Sequence, residues 1–212
     1  MSGSAAARLA DLRAAIGREL GRNVSGERAA RAELAQATAL IDAVEGAPEP
    51  QTTGEPGDAL ETALAIAARS APDLAASLRP VAADLPWRGG GYASRSDAPG
   101  LERGLRWAEL VGPAAPWRSN AVCLGLLVLA PGLFYPAHRH PAVEVYKLLV
   151  GETTWTVGSV TRRLGPGETV LHASGEAHAM RAGADPLLAI YTWTGDVRTA
   201  SSWCDSVTQS RA

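Results

Sequence analysis

The segment Tyr135-Pro-Ala-His138-Arg-His140-Pro-Ala-Val-Glu144-Val-Tyr146 sets four side chains with ligating or acid–base capacity at even positions. In an extended chain side chains alternate between faces, so His138, His140, Glu144 and Tyr146 all face one cavity if the strand carries no bulge. Imidazole nitrogens with one carboxylate suit Zn, Fe, Mn, Co, Ni or Cu, and a further ligand from a distant strand leaves positions open for substrate. His178 is the candidate for that ligand. An H-x-H pair recurs by chance, and a buried histidine is more often a hydrogen-bonded core residue. Here, however, the chain has only four histidines and three of them fall in the pattern. The fourth, His172, has no partner at ligand spacing and reads as a structural residue.

These residues must be held by strands. Stretches rich in Val, Leu, Thr, Trp and Tyr run over 105–111, 121–129, 143–150, 153–157, 168–171 and 187–194, separated by the turn signals Pro131-Gly132, Gly151-Glu152 and Gly165-Pro166-Gly167. Short strands at near-even spacing predict an antiparallel barrel or jelly roll. Ahead of them the period is helical. Leu9, Leu12, Ile16 and Leu20 recur at intervals of three and four, as do Leu34, Ala37, Ile41 and Val44 after the Asn23-Val24-Ser25-Gly26 break. Asp58 and Glu61 resemble a capping box opening a helix on Leu60, Leu64 and Ala67, and a shorter helix follows over 72–78. The expected organisation is a helical region over 1–80, a connecting loop over 81–103 that includes Gly89-Gly90-Gly91, and a β-barrel domain over 104–212. The helices fit a packed cap, a lid or the arm of a homodimer.

Twenty Lys and Arg against 22 Asp and Glu give a net charge of −2, which provides no basic field for nucleic acid or anionic lipid. Lys147 is the only lysine. No stretch approaches the ~18 apolar residues of a membrane span, and no signal-peptide pattern is present, so a cytoplasmic location is expected. Cys123 and Cys204 fit no metal spacing and are expected to be free thiols.

Gly132-x5-His138-x-His140-x3-Glu144-x6-Gly151 resembles the first motif of the cupins at every fixed position. The second motif is looser, with Ala173 where the family has proline and Ala182 where it has asparagine, while Gly167, Gly175 and His178 are kept. The resemblance implies a mainly β cupin barrel, a double-stranded β-helix or jelly roll, with an N-terminal α-helical region. It also implies a metal held by His138, His140, Glu144 and His178. More narrowly, residues 135–146, His178 and Tyr191-Thr-Trp193-Thr-Gly-Asp196 look like the cupin-type dimethylsulfoniopropionate lyases. That resemblance implies cleavage to dimethyl sulfide and acrylate with one divalent transition metal, Zn, Fe or Mn.

The chemistry suits the residues. A proton α to a carboxylate is very weakly acidic, and a Lewis acid on the carboxylate stabilises the charge that develops on its removal. A tyrosine, whose pKa is ordinarily about 10, loses its proton more easily beside a divalent cation. Tyr146 is the general base that the resemblance implies, and Tyr135 is a second candidate for catalysis or substrate binding. Trp193 and Trp155 are candidates for an aromatic face against the sulfonium cation, a contact worth about 0.5–2 kcal/mol. Two other readings fit the ligand set: a metal-dependent cupin dioxygenase or isomerase acting on another small carboxylate, and a non-catalytic cupin that binds a small molecule.

Overall fold

The computed structural model describes residues 4–22, 27–49, 51–89 and 96–204. The Asn23 to Gly26 break, together with Gly90 and Gly91 of the glycine triplet, lies outside them.

Among the described residues the chain opens with four helices, α1 (Ala5–Gly21), α2 (Arg28–Asp42), α3 (Ala59–Ser70) and α4 (Pro72–Leu78), with a 3-10 turn over Arg79–Asp84. The Ser4 hydroxyl caps α1 by accepting from the Ala7 N–H at 3.2 Å. Asp58 does stand at the start of α3, but it makes no capping bond. Its backbone is already helical (φ −65°, ψ −27°), whereas a capping side chain needs an extended backbone to fold back on the first turn. Glu61 pairs instead with Arg79. A short helix α5 (Leu101–Gly104) leads into the strands.

Among the described residues eleven strands follow: β1 (Leu105–Gly112), β2 (Trp117–Arg118), β3 (Val122–Leu129), β4 (Phe134–Arg139), β5 (Val143–Val150), β6 (Thr153–Val157), β7 (Val160–Leu164), β8 (Thr169–His172), β9 (His178–Ala182), β10 (Leu187–Thr194) and β11 (Ser202–Trp203). They form a six-stranded sheet, β2-β1-β3-β10-β5-β8, facing a five-stranded sheet, β11-β4-β9-β6-β7. This is the mainly β barrel with N-terminal helices expected from the strand spacing. The tight reversal from β5 to β6 turns on Gly151 at φ 85°, a left-handed conformation that other residues adopt only with strain.

The six-stranded sheet is apolar on both faces, and the period-two alternation divides it. Tyr146, Leu148, Ala189 and Tyr191 point into the barrel, where they pack with Trp155 and Met180 from the opposing sheet. Val145, Leu149, Leu188 and Ile190 point outward into a second core with Leu12, Ile16, Leu34, Ile41, Leu64 and Leu74 of the helices. The apolar stripes of α1 and α2 are therefore buried within the chain rather than held free for a second copy. The expected connecting loop is anchored where it leaves the helices. Arg88 and Trp107 exchange backbone hydrogen bonds at 2.8 and 2.9 Å, while Trp87 is buried in the helix-side core with its indole N–H on the Ala82 carbonyl. Cys123 and Cys204 are free thiols. Among the described residues no helix is long and apolar enough to cross a membrane.

The sole lysine connects the two layers. Lys147 lies on the outer face of β5, is 3% exposed, and donates its ammonium to the carbonyls of Glu19 and Arg22 at the C-terminal end of α1. The Glu19 carbonyl also accepts the Arg22 N–H at 3.1 Å, and a cation at this end of the helix complements its dipole. Lys147→Met keeps the apolar stem but removes the ammonium from both carbonyls. We expect it to cost about 1–3 kcal/mol, read as a lower urea midpoint with an unchanged denaturant slope.

Candidate metal centre and catalytic cavity

The segment 135–146 is not one continuous strand. β4 ends at Arg139 in the five-stranded sheet, β5 begins at Val143 in the six-stranded sheet, and the chain crosses between them at His140 to Ala142. His138 and Glu144 therefore converge from opposite walls of the barrel and not by alternation along one strand. β4 is also irregular. Tyr135 pairs with Met180 and His138 with His178, so three steps on β4 match two on β9. This one-residue bulge changes the phase of the alternation. Tyr135 and His138, three apart, consequently share a face and stack with ring centroids 4.1 Å apart.

Three histidines are anchored alike. His138 Nδ1 lies 2.8 Å from the Pro136 carbonyl, His140 Nδ1 3.0 Å from that of Ala142, and His178 Nδ1 3.0 Å from that of Glu176. A carbonyl only accepts, so each Nδ1 carries the proton and each Nε2 keeps its lone pair. His140 Nε2 faces Glu144 Oε2 at 3.1 Å, and His178 Nε2 is 3.4 Å from the same oxygen. His178 Nε2 is buried and has no hydrogen-bond partner. Lone pairs converging on a carboxylate in a dry interior need a cation or protons between them. Burial opposes the protons, holding His138 down at about 4 and His178 well below its ordinary value. The donor set thus fits a divalent metal, which neutral imidazole and an ionised carboxylate ligate.

Ligand atoms of His140, Glu144, His172 and His178 lie within 4.8 Å of one another; His138 is outside that group, its ring centroid 4.1 Å from that of His178. His172, given only a structural part from its spacing, thus sits in the cluster. Its ring stacks on His178 at 3.7 Å, and its Nδ1 lies 2.8 Å from Glu144 Oε2. No local pattern signals this, because the contact comes from the pairing of His172 on β8 with Glu144 on β5.

Glu144 itself is 2% exposed. Burial alone would raise its carboxyl, but the His172 Nδ1–H and the surrounding imidazoles outweigh this and hold it well below the usual range. Its other oxygen accepts from Trp193 Nε1 at 2.6 Å, and the Trp193 ring stacks on His140 at 4.2 Å.

The cluster opens on a cavity of about 490 Å³ lined by His138, His140, Glu144, Tyr135, Tyr146, Tyr191 and Trp193, with Arg88, Trp107 and Glu109 farther along. Trp155 does not line it. That indole is buried, and its N–H points at His172 Nε2 at 2.9 Å, so it presents no face to a ligand there. Tyr146 pairs with Tyr191 across β5 and β10. Burial first, then the neighbouring charge of Glu144, push the Tyr146 phenol well above 10. Tyr191, assigned no part from the sequence beyond its place in the resemblance, is admitted by Gly125 on β3, where any Cβ would run into its ring.

The dimethylsulfoniopropionate lyase family model matches residues 28–189. The dimethylsulfoniopropionate lyase DddQ of Ruegeria pomeroyi is 38% identical over 115 residues, 54% of this chain and 57% of that protein. A putative dimethylsulfoniopropionate lyase DddL of Cereibacter sphaeroides is 29% identical over 120 residues, 56% of this chain and 50% of that protein. The chain thus spans about half the length of the curated relatives it matches. Among solved structures, the DMSP lyase DddQ from Ruegeria pomeroyi superposes with TM-score 0.59 at 27% identity over 84% of this chain and 97% of that one. A structure from a study of the DMSP lyases RdDddP and RnDddQII superposes with TM-score 0.65 at 22% identity, over 95% of this chain and all of that one.

Gly125→Ala is expected to displace the Tyr191 ring and cost about 1–3 kcal/mol through overpacking. Thermal unfolding measures the cost, and near-ultraviolet circular dichroism reports the displaced tyrosine.

Proposed function

We propose that this chain, which belongs to the dimethylsulfoniopropionate lyase family, cleaves dimethylsulfoniopropionate to dimethyl sulfide and acrylate by β-elimination. The observation that carries the reading is the ring of carbonyl-anchored histidines around Glu144, opening on a cavity walled by Tyr146, Tyr135, Tyr191 and Trp193.

We assign His140, Glu144 and His178, with His138 as the fourth, to one divalent transition metal; zinc, iron and manganese all suit nitrogen and carboxylate donors. When bound, the metal supplies Lewis-acid stabilisation of the charge that develops on the substrate carboxylate. Tyr146 takes the proton from the carbon next to that carboxylate. The electron pair of the broken C–H bond forms the double bond of acrylate, and the C–S pair leaves with dimethyl sulfide. A phenol raised by burial and by Glu144 is a poor base alone, and a cation in the adjacent cluster acts in the opposite direction. Trp193 holds Glu144 through its N–H and lines the cavity with its ring. Together with Tyr135 and Tyr191 it offers the sulfonium group an aromatic surface.

Headspace gas chromatography of dimethyl sulfide from purified, metal-analysed protein tests this. Metal-replete wild type is expected to release dimethyl sulfide without consuming oxygen, and Tyr146→Phe to lose about 10²–10⁴-fold in rate, the usual contribution of a general base. Release by Tyr146→Phe at the wild-type rate would assign the base elsewhere, and no release from metal-replete wild type would sink the lyase reading. In a second experiment, chelation is expected to abolish turnover and added metal to restore it. Turnover that survives complete metal removal would refute the metal assignment.

A further inference from the structure

His172 differs from the other three histidines in what its nitrogens do. Trp155 Nε1 is a donor only, so the His172 Nε2 it meets at 2.9 Å must carry a lone pair. The imidazole proton therefore sits on Nδ1, 2.8 Å from Glu144 Oε2. We infer that Trp155, His172 and Glu144 form a fixed relay in which Trp155 sets the His172 tautomer and His172 orients the carboxylate, so that His172 is a positioning residue and not a ligand. This rests on the metal reading of Glu144 given above.

The alternative is that His172 ligates. Its proximity to His140, Glu144 and His178 allows it on distance alone. The hydrogen bonds decide against it. His138, His140 and His178 give their Nδ1 protons to backbone carbonyls, which leaves Nε2 available; in His172 both nitrogens are already engaged, one by a donor and one by the carboxylate. Trp155 and His172 have relative exposures of 1% and 0%, so water does not compete for either bond. Each member stands on a different strand: Trp155 on β6, His172 on β8 and Glu144 on β5. The relay thus links the five-stranded sheet to the carboxylate on the opposite wall. With Trp193 on Oε1 and His172 on Oε2, the carboxylate is held at both oxygens. Partners of this kind orient a ligand, and their loss weakens metal binding by about 10–100-fold.

The test is zinc affinity, measured by competition with a chromophoric chelator, and the absorption spectrum of the cobalt(II)-substituted protein, for wild type, Trp155→Phe, His172→Leu and His172→Asn. Asn can place an N–H where Nδ1–H stood, so it separates orientation from ligation. Circular dichroism and thermal unfolding select variants that remain folded. We expect Trp155→Phe and His172→Leu to bind zinc about 10–100-fold more weakly, His172→Asn to recover most of that loss, and the cobalt spectrum to keep its band intensities throughout. Long-range ¹H–¹⁵N correlation on the zinc-loaded wild type should find the His172 proton on Nδ1 and its Nε2 free of metal. His172→Asn as weak as His172→Leu, with altered cobalt bands, would make His172 a ligand and overturn the relay. Wild-type affinity in Trp155→Phe would also overturn it while leaving the metal reading intact. If wild type bound no zinc or cobalt, the metal reading would fall and the relay with it.

Discussion

A single buried carboxylate organises this molecule. Glu144 lies in the barrel interior at 2% exposure, where an isolated charge would cost several kcal/mol. It is tolerated because the Trp193 indole donates to one oxygen and His172 Nδ1–H to the other, while the Nε2 lone pairs of His140 and His178 face it across the position a cation would fill. These groups come from β10, β8, the β4–β5 crossing and β9, so satisfying one charge ties the two sheets together. Removing any one partner leaves the others facing an uncompensated group, which makes the constellation cooperative rather than a sum of contacts.

That demand explains several features of the fold. The β4 bulge brings Tyr135 and His138 onto one face. Gly125 has no side chain because the Tyr191 ring occupies that space. The helical layer covers the outward face of the six-stranded sheet, whose alternate residues are as apolar as those inside. Lys147 interrupts that face where the sheet reaches the end of α1. The helices therefore act on the site from behind: they bury the back of the strands that carry Glu144 and Tyr146, and among the described residues none lends a side chain to the cavity.

The same arrangement suits the elimination proposed for this family member. Neutral imidazoles with lone pairs turned inward and a carboxylate held ionised are the protonation states that a metal needs, and the fold imposes them through backbone carbonyls and burial. The phenol next to them is held protonated by that burial, so in the proposed elimination a cation bound at the cluster would be what makes Tyr146 usable as a base. The aromatic cavity wall suits the sulfonium end of the proposed substrate.

The residue order alone indicated six of the strands, the first four helices and three residues of the buried cluster. The strands over 143–150, 153–157 and 187–194 and the helix over 72–78 agree with the sequence reading to the residue, because alternation, turn glycines and a proline at the first helical turn are local signals. His140, Glu144 and His178 were legible because ligand chemistry restricts residue type and the motif restricts spacing. Only the tertiary structure decided the rest. It brought His172 to Glu144, turned Trp155 away from the cavity and onto His172, and set Trp193 to hold the carboxylate by its N–H. It also divided 135–146 between two sheets, and it left Asp58 helical and non-capping. Each of these depends on which strands pair and in what register, and register is set by long-range packing that no local window of residues encodes.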